Sequence, residues 1–211
     1  IGDAAGVPYE FMPPSGDGSY KFFSSGGAHN ASVGEWSDDG AMALAIASAY
    51  ISERKFCAST IQKNFVSWLK CGTFGTREGV PAWDVGMTAL GALNRVKDYE
   101  FPYQSSTDPQ TSGNGCIMRL APCIIWNRNN LSAAIGESVA QALLTHGSSE
   151  CITYTAALAH ELWEGRPLPQ YDKLRDRLIK NTGYVADTYA SAWHSALSTD
   201  SFEDAIADAI N

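Results

Sequence analysis

The chain has 211 residues, 45% of them hydrophobic, which is enough for one well-buried core within the usual single-domain range. Its 15 Lys and Arg face 23 Asp and Glu, and the net charge of −8 argues against nucleic acid or an anionic membrane surface as the main partner. A phosphorylated small molecule stays open, because backbone N–H groups and bound cations can reverse the field inside a pocket. Five cysteines, Cys57, Cys71, Cys116, Cys123 and Cys151, form no C-x-x-C pair. They suit a reduced, cytoplasmic compartment in which each is a small buried hydrophobe. No apolar run approaches the ~20 residues of a membrane span, and no signal-peptide pattern opens the sequence.

In chain order, the turn-rich stretch Gly2-Asp3-Ala4-Ala5-Gly6 leads into Val7-Pro8-Tyr9-Glu10-Phe11. Glu10 is a carboxylate flanked by aromatics in a short rigid segment. Such surroundings can raise its pKa enough for acid–base work, although a surface glutamate reads the same way. Residues 19–23 are the one β-like run, bounded by Gly18 and Gly26. From 39 to about 52, Met42, Leu44, Ile46, Ala49 and Tyr50 recur among alanines, which predicts a helix buried on most sides with Ser37 and Asp38 as caps. Further helices are predicted over 58–70, 85–96, 122–126, 132–144, 149–162, 171–179, 187–196 and 201–210. Gly72, Gly147 and the Ser201…Asp204 spacing punctuate them. Gly and Pro gather in three connections, 13–34, 72–81 and 99–115, of a length that usually signals function or disorder. An all-α bundle forming a single domain over 1–211 is the expectation.

Chemistry concentrates in four places. Ser37-Asp38-Asp39 puts a hydroxyl and two consecutive carboxylates ahead of the most apolar helix. Two adjacent acids repel, and burying them raises their pKa values unless a helix N-terminus and a cation offset the charge. Their hard oxygens suit Mg²⁺, Mn²⁺ or Ca²⁺; a solvated N-cap is the alternative. In Ser112-Gly113-Asn114-Gly115, before Cys116-Ile117-Met118-Arg119, two glycines allow close backbone approach and a concave run of N–H groups for phosphate or ribose. A plain tight turn is the other reading. Asp84 and Gly86 stand at a helix start, as an N-cap or a ligand contact. His146 follows a helix C-terminus, where the dipole favours its protonated form. His29, His160 and His194 carry no assigned role.

The order of these segments along the chain is more specific than any one of them. With G-D-A-A-G-V-P-Y-E-F at 2–11, W-S-D-D-G-A-M-A-L-A at 36–45, W-D-V-G-M-T at 83–88, S-G-N-G-C-I-M-R-L-A-P at 112–122, T-H-G at 145–147 and the tail from Tyr184, the sequence resembles the ADP-ribosylglycohydrolase family. The resemblance covers nearly the whole chain. It implies an all-α, orthogonal multi-helix bundle with a binuclear Mg²⁺ or Mn²⁺ centre, and hydrolysis of the N- or O-glycosidic bond that joins ADP-ribose to a protein side chain or a small molecule. On matching positions it implies that Ser37, Asp38 and Asp39 hold metal, with Ser37 in place of the family's threonine. It also implies that Glu10, Asp38 and Asp39 serve catalysis, and that Asp84, Gly86, Ser112, Gly113, Asn114, Gly115, Met118 and His146 contact ADP-ribose. The family's G-G-D-x-D-T segment, source of the remaining metal ligands, is expected beyond Asn211, and the extreme N-terminus before Ile1. A chain without that segment would instead be an impaired ADP-ribose binder or a structural family member.

Overall fold

The computed structural model describes residues 1–13, 20–77, 79–168 and 179–210. Among them the fold is helical, as expected: ten α-helices, two 3-10 turns and only isolated β-bridges. The helices are α1 (Gly2–Gly6), α2 (Asp38–Glu53), α3 (Ala58–Cys71), α4 (Met87–Asn94), α5 (Gly115–Met118), α6 (Ala121–Trp126), α7 (Leu131–Ala142), α8 (Ser149–Glu164), α9 (Val185–Ser198) and α10 (Phe202–Ile210). No described helix is long and apolar enough to cross a membrane.

One core forms where the buried stripe of α2, namely Ala41, Met42, Ala45, Ile46, Ala49 and Tyr50, meets Ile61, Phe65 and Trp68 of α3. The spacing of those α2 residues is that of one helical face. Leu44 and Ile51 are exposed, so α2 is buried along a stripe rather than on most sides. A second core joins Cys116, Ile117 and Leu120 to Ala142, Cys151, Val185 and Tyr189. Helices α6 and α7 bridge the two, and α1 rests on both α2 and α10.

Several expectations change. The β-like run is not a strand over its described residues: Phe22 and Phe23 lie in a turn, and Phe23 has φ 54°. Tyr20, Phe22 and Phe23 stack on one another, so aromatic packing overrides β-propensity. The turn-rich start is helix α1 with a following 3-10 turn at Val7–Tyr9. The glycine turn feeds directly into α5. The helix expected at 171–179 lies outside the described residues, apart from Ile179. Gly72 closes α3 with φ 70°, and Ser201 Oγ accepts the Asp204 N–H, both as expected. Gly147 serves a different purpose, since a Cβ there would sit 2.4 Å from Ser105 Oγ and the 105–106 segment needs that space. The cysteines are all free; Cys116, Cys123 and Cys151 are buried, whereas Cys71 is exposed at the end of α3.

Candidate active site

The acidic triplet is held by a residue that sequence reading passed over. Asp3 on α1 accepts the Ser37 N–H at 3.0 Å, the Ser37 hydroxyl at 2.8 Å and the Gly40 N–H at 2.7 Å. Ser37 occupies the N-cap position of α2 yet makes no cap bond with its own side chain; Asp3 caps the helix from outside. Gly40 permits this, because a Cβ there would lie 2.7 Å from the Asp3 carboxylate. Asp38 and Asp39 are thereby spared capping duty. Asp38 Oδ2 accepts the Gly86 N–H at 3.3 Å, which ties α2 to the start of α4. Gly86, not Asp84, occupies the N-cap of α4, so Asp84 is free of the capping role.

Around this lie Glu10, Asp84 and His29. His29 Nε2 sits 3.0 Å from Glu10 Oε2 and 3.8 Å from Asp84 Oδ2. Their three ligand-capable atoms fall within 4.8 Å of one another. The electrostatics are those of gathered like charge. Burial, then the neighbouring Asp84 and Asp3, pushes Asp38 up to about 6. Burial, then Asp38 and Asp3, holds Asp39 well above the carboxylate range. Asp84 rises to about 6 through burial and Glu10, and burial also raises Glu10.

Arg119 is the buried counter-charge, and sequence reading missed it too. Its Nε donates to Gln141 Oε1 at 2.8 Å and its Nη2 to Thr145 Oγ1 at 2.6 Å, while the guanidinium lies over Phe65. Burial lowers its pKa only to about 10, so it remains a cation. Thr145 Oγ1 accepts from Arg119 and lies 2.7 Å from His146 Nδ1. With the threonine proton turned to Nδ1, His146 would carry its own proton on Nε2. Burial, reinforced by Arg119, drops His146 to about 3. The protonated form expected from the helix dipole is overturned, because desolvation outweighs a partial charge at a helix end. The neutral ring sits under the glycine turn, with Nε2 3.4 Å from a Cβ built at Gly113 and 3.6 Å from one at Gly115.

The glycine turn itself is largely self-satisfied. The N–H groups of Ser112, Gly113 and Asn114 donate to Pro109, Thr111 and Gly183 carbonyls, so they do not form a free concave anion site. Ser112 Oγ is buried 2.8 Å from both Ser148 Oγ and Glu150 Oε2, and Asn114 Nδ2 donates to Thr188 Oγ1. These two side chains brace the turn. Met118 is exposed on α5. The turn and the acids nonetheless adjoin, since a Cβ at Gly113 would stand 3.3 Å from Thr88 Oγ1, two residues beyond the Gly86 N–H that Asp38 holds.

A family model described as ADP-ribosylglycohydrolase matches residues 1–171. Two curated ADP-ribosylarginine hydrolases, from Pseudomonas putida and Serratia proteamaculans, are 34% and 29% identical across the whole chain. An ADP-ribosyl-[dinitrogen reductase] glycohydrolase from Rhodospirillum rubrum is 24% identical across the same span. The chain spans 62%, 63% and 75% of the lengths of those three relatives. A solved structure described as an ADP-ribosylglycohydrolase-related protein complex shares the fold, with TM-score 0.79 and 24% identity over 99% of this chain and 76% of that one.

Proposed function

Since the chain belongs to the ADP-ribosylglycohydrolase family, we propose that it hydrolyses the glycosidic bond linking ADP-ribose to a protein side chain, arginine being the substrate that the names of two relatives suggest. The observation that carries this reading is the convergence of Asp3, Glu10, Asp38, Asp39 and Asp84, from three distant segments, into one partly buried group in which Glu10, Asp38, Asp39 and Asp84 are raised in pKa.

That group fits a divalent ion of the Mg²⁺ or Mn²⁺ kind. Its donors are hard oxygens, its charge exceeds what Arg119 can offset, and the Ser37 hydroxyl spends its proton on Asp3, which leaves oxygen lone pairs for a ligand. Ser37, Asp38 and Asp39 would hold it. When bound, such an ion supplies Lewis acidity and charge neutralisation beside the sugar. The chain's own residues do the rest. The His146 Nε2–H, beneath the glycine turn, is a neutral donor for a ribose or phosphate oxygen, and it costs less to leave bare than a buried cation would. Gly113 and Gly115 let a ligand approach that ring. Glu10, at the edge of the group, faces the positive charge that builds on the anomeric carbon as the bond breaks and can take the proton of the attacking water. Its raised pKa makes it a better base than an ordinary carboxylate.

The test is release of ADP-ribose from an ADP-ribosylated arginine peptide in the presence of Mn²⁺ or Mg²⁺. Asp38→Ala and Asp39→Ala should each slow release on the order of a thousand-fold. Turnover unchanged in both variants would end this reading.

A further inference from the structure

We propose that His29 is a positioning residue for Glu10, a role that rests on the hydrolase reading above and adds to it a second element of the reaction centre. The turn that carries His29 is built to reach Glu10. Gly26 and Ala31 close it with paired hydrogen bonds of 2.8 Å, and Asn30 N–H returns to the Gly27 carbonyl. Gly27 sits at φ 70°, and a Cβ on it would lie 2.2 Å from the Pro8 carbonyl oxygen. The turn is thus docked against the short segment that ends in Glu10, and only glycine allows so close an approach.

At the tip of that turn the imidazole is fixed from three sides. Its ring packs 5.0 Å from the Trp83 ring and 5.8 Å from that of Phe11. Trp83 is in turn covered by the Arg77 guanidinium at 4.3 Å, and Arg77 is anchored by Glu35 at 2.9 Å. Arg77 also donates to the His29 carbonyl at 3.0 Å, which locks the main chain beneath the ring. What the ring then presents to the acids is one nitrogen, Nε2, 3.0 Å from Glu10 Oε2 and 3.8 Å from Asp84 Oδ2. Two carboxylates around one nitrogen require that nitrogen to carry the proton. His29 therefore donates to Oε2 and fixes the rotamer of Glu10, whose carboxylate also meets the Asp84 side chain.

A purely structural role is a poor explanation for this bond. The side chains of His29 and Glu10 remain 18% and 36% exposed, and an ion pair that wet adds little to stability. The contribution is to geometry, and it should be read in turnover.

Three substitutions separate these possibilities in the intact protein. His29→Phe keeps a ring between Trp83 and Phe11 but removes the donor, and it should lower kcat for ADP-ribose release at least ten-fold with KM changed less than two-fold. His29→Gln returns an N–H near the position of Nε2 and should recover most of that loss. In a Glu10→Ala background, His29→Phe should have no further effect. The contact itself is read without turnover: ¹⁵N-histidine NMR should show His29 protonated on Nε2, with that resonance displaced by Glu10→Ala. Equal impairment by Phe and Gln, additive losses in the double variant, a defect confined to KM or to Mn²⁺ affinity, or an NMR resonance indifferent to Glu10→Ala would each overturn the proposal. Absence of any ADP-ribose release alongside the expected NMR result would overturn the hydrolase reading and the role of His29 in it, while upholding the contact.

Discussion

The glycine turn and the acidic group lie side by side and follow opposite rules. At 112–115 nearly every polar group is paired within the chain: three N–H groups have carbonyl acceptors, Ser112 is braced by Ser148 and Glu150, and Asn114 reaches Thr188. At Glu10, Asp38, Asp39 and Asp84, carboxylates are drawn together and raised in pKa by one another and by burial. One region is complete as the chain makes it, and the other asks for positive charge from outside. Rigid shape belongs to the first and chemical tension to the second.

Arg119 is where the two regions meet, so removing it is the strongest way to break the contrast. Arg119→Met should lower the unfolding free energy by about 3–5 kcal/mol, because it strips a charge from the acids and takes the buried donor from Gln141 Oε1 and Thr145 Oγ1. Urea denaturation reads this, and a loss below about 1 kcal/mol would mean that the acids do not depend on it.

The pH dependence of stability sharpens the same contrast. The folded state holds protons on Asp38 and Asp84 up to about 6, and Asp39 is raised in the same direction, whereas the unfolded chain releases them near 4. Their stabilising contribution is full below pH 4 and fades as pH rises through the folded values. Depressed groups act the other way. His146, depressed to about 3, costs stability below its unfolded pKa of 6.5, and Glu35, depressed to about 2, contributes fully once pH exceeds 4.5. Between about pH 4.5 and 6 the raised Asp38, Asp39 and Asp84 outnumber the depressed His146, so the melting midpoint of chelator-treated protein should fall with rising pH in that window. The slope is about 1.4 kcal/mol per pH unit for each acid still protonated in the folded state. Mn²⁺ should flatten the profile. A flat profile in chelator would remove the case for gathered, unmatched charge.

The smallest effect is expected at the turn. A Cβ at Gly113 would press on Thr88 Oγ1 and His146 Nε2 at 3.3 and 3.4 Å. Gly113→Ala should therefore change stability by less than about 1 kcal/mol and raise KM about three- to ten-fold with kcat retained, measured by steady-state release of ADP-ribose. A fall in kcat matching that of Asp38→Ala would show the turn to be part of the reaction centre rather than its neighbour.

How much of this the sequence discloses depends on distance along the chain. Asp38 and Asp39 are legible because two acids adjoin an apolar stripe within one helix turn. Asp3 is not: its partner Ser37 lies 34 residues away, and nothing local marks Asp3 as a cap. His29 and Arg119 are hidden for related reasons, one in a loop without periodicity, the other in the short turn between α5 and α6, where an arginine reads as surface. His146 misleads by sign, since the local dipole is visible in sequence but the desolvation that defeats it belongs to the assembled core. The aromatic run at 20–23 misleads because β-propensity measures fit to a neighbouring strand, and none is there among the described residues.

The capping of α2 by Asp3 bears on how the molecule assembles. Its bonds span 34 and 37 residues, and the Asp38 contact to Gly86 spans 48. Helix α2 can wind and bury its stripe on α3 before either contact forms, because its own neighbours are close in sequence. Asp3 and Asp84 thus join the consecutive Asp38 and Asp39 only when long loops close, a step that the local packing of α2 on α3 does not require.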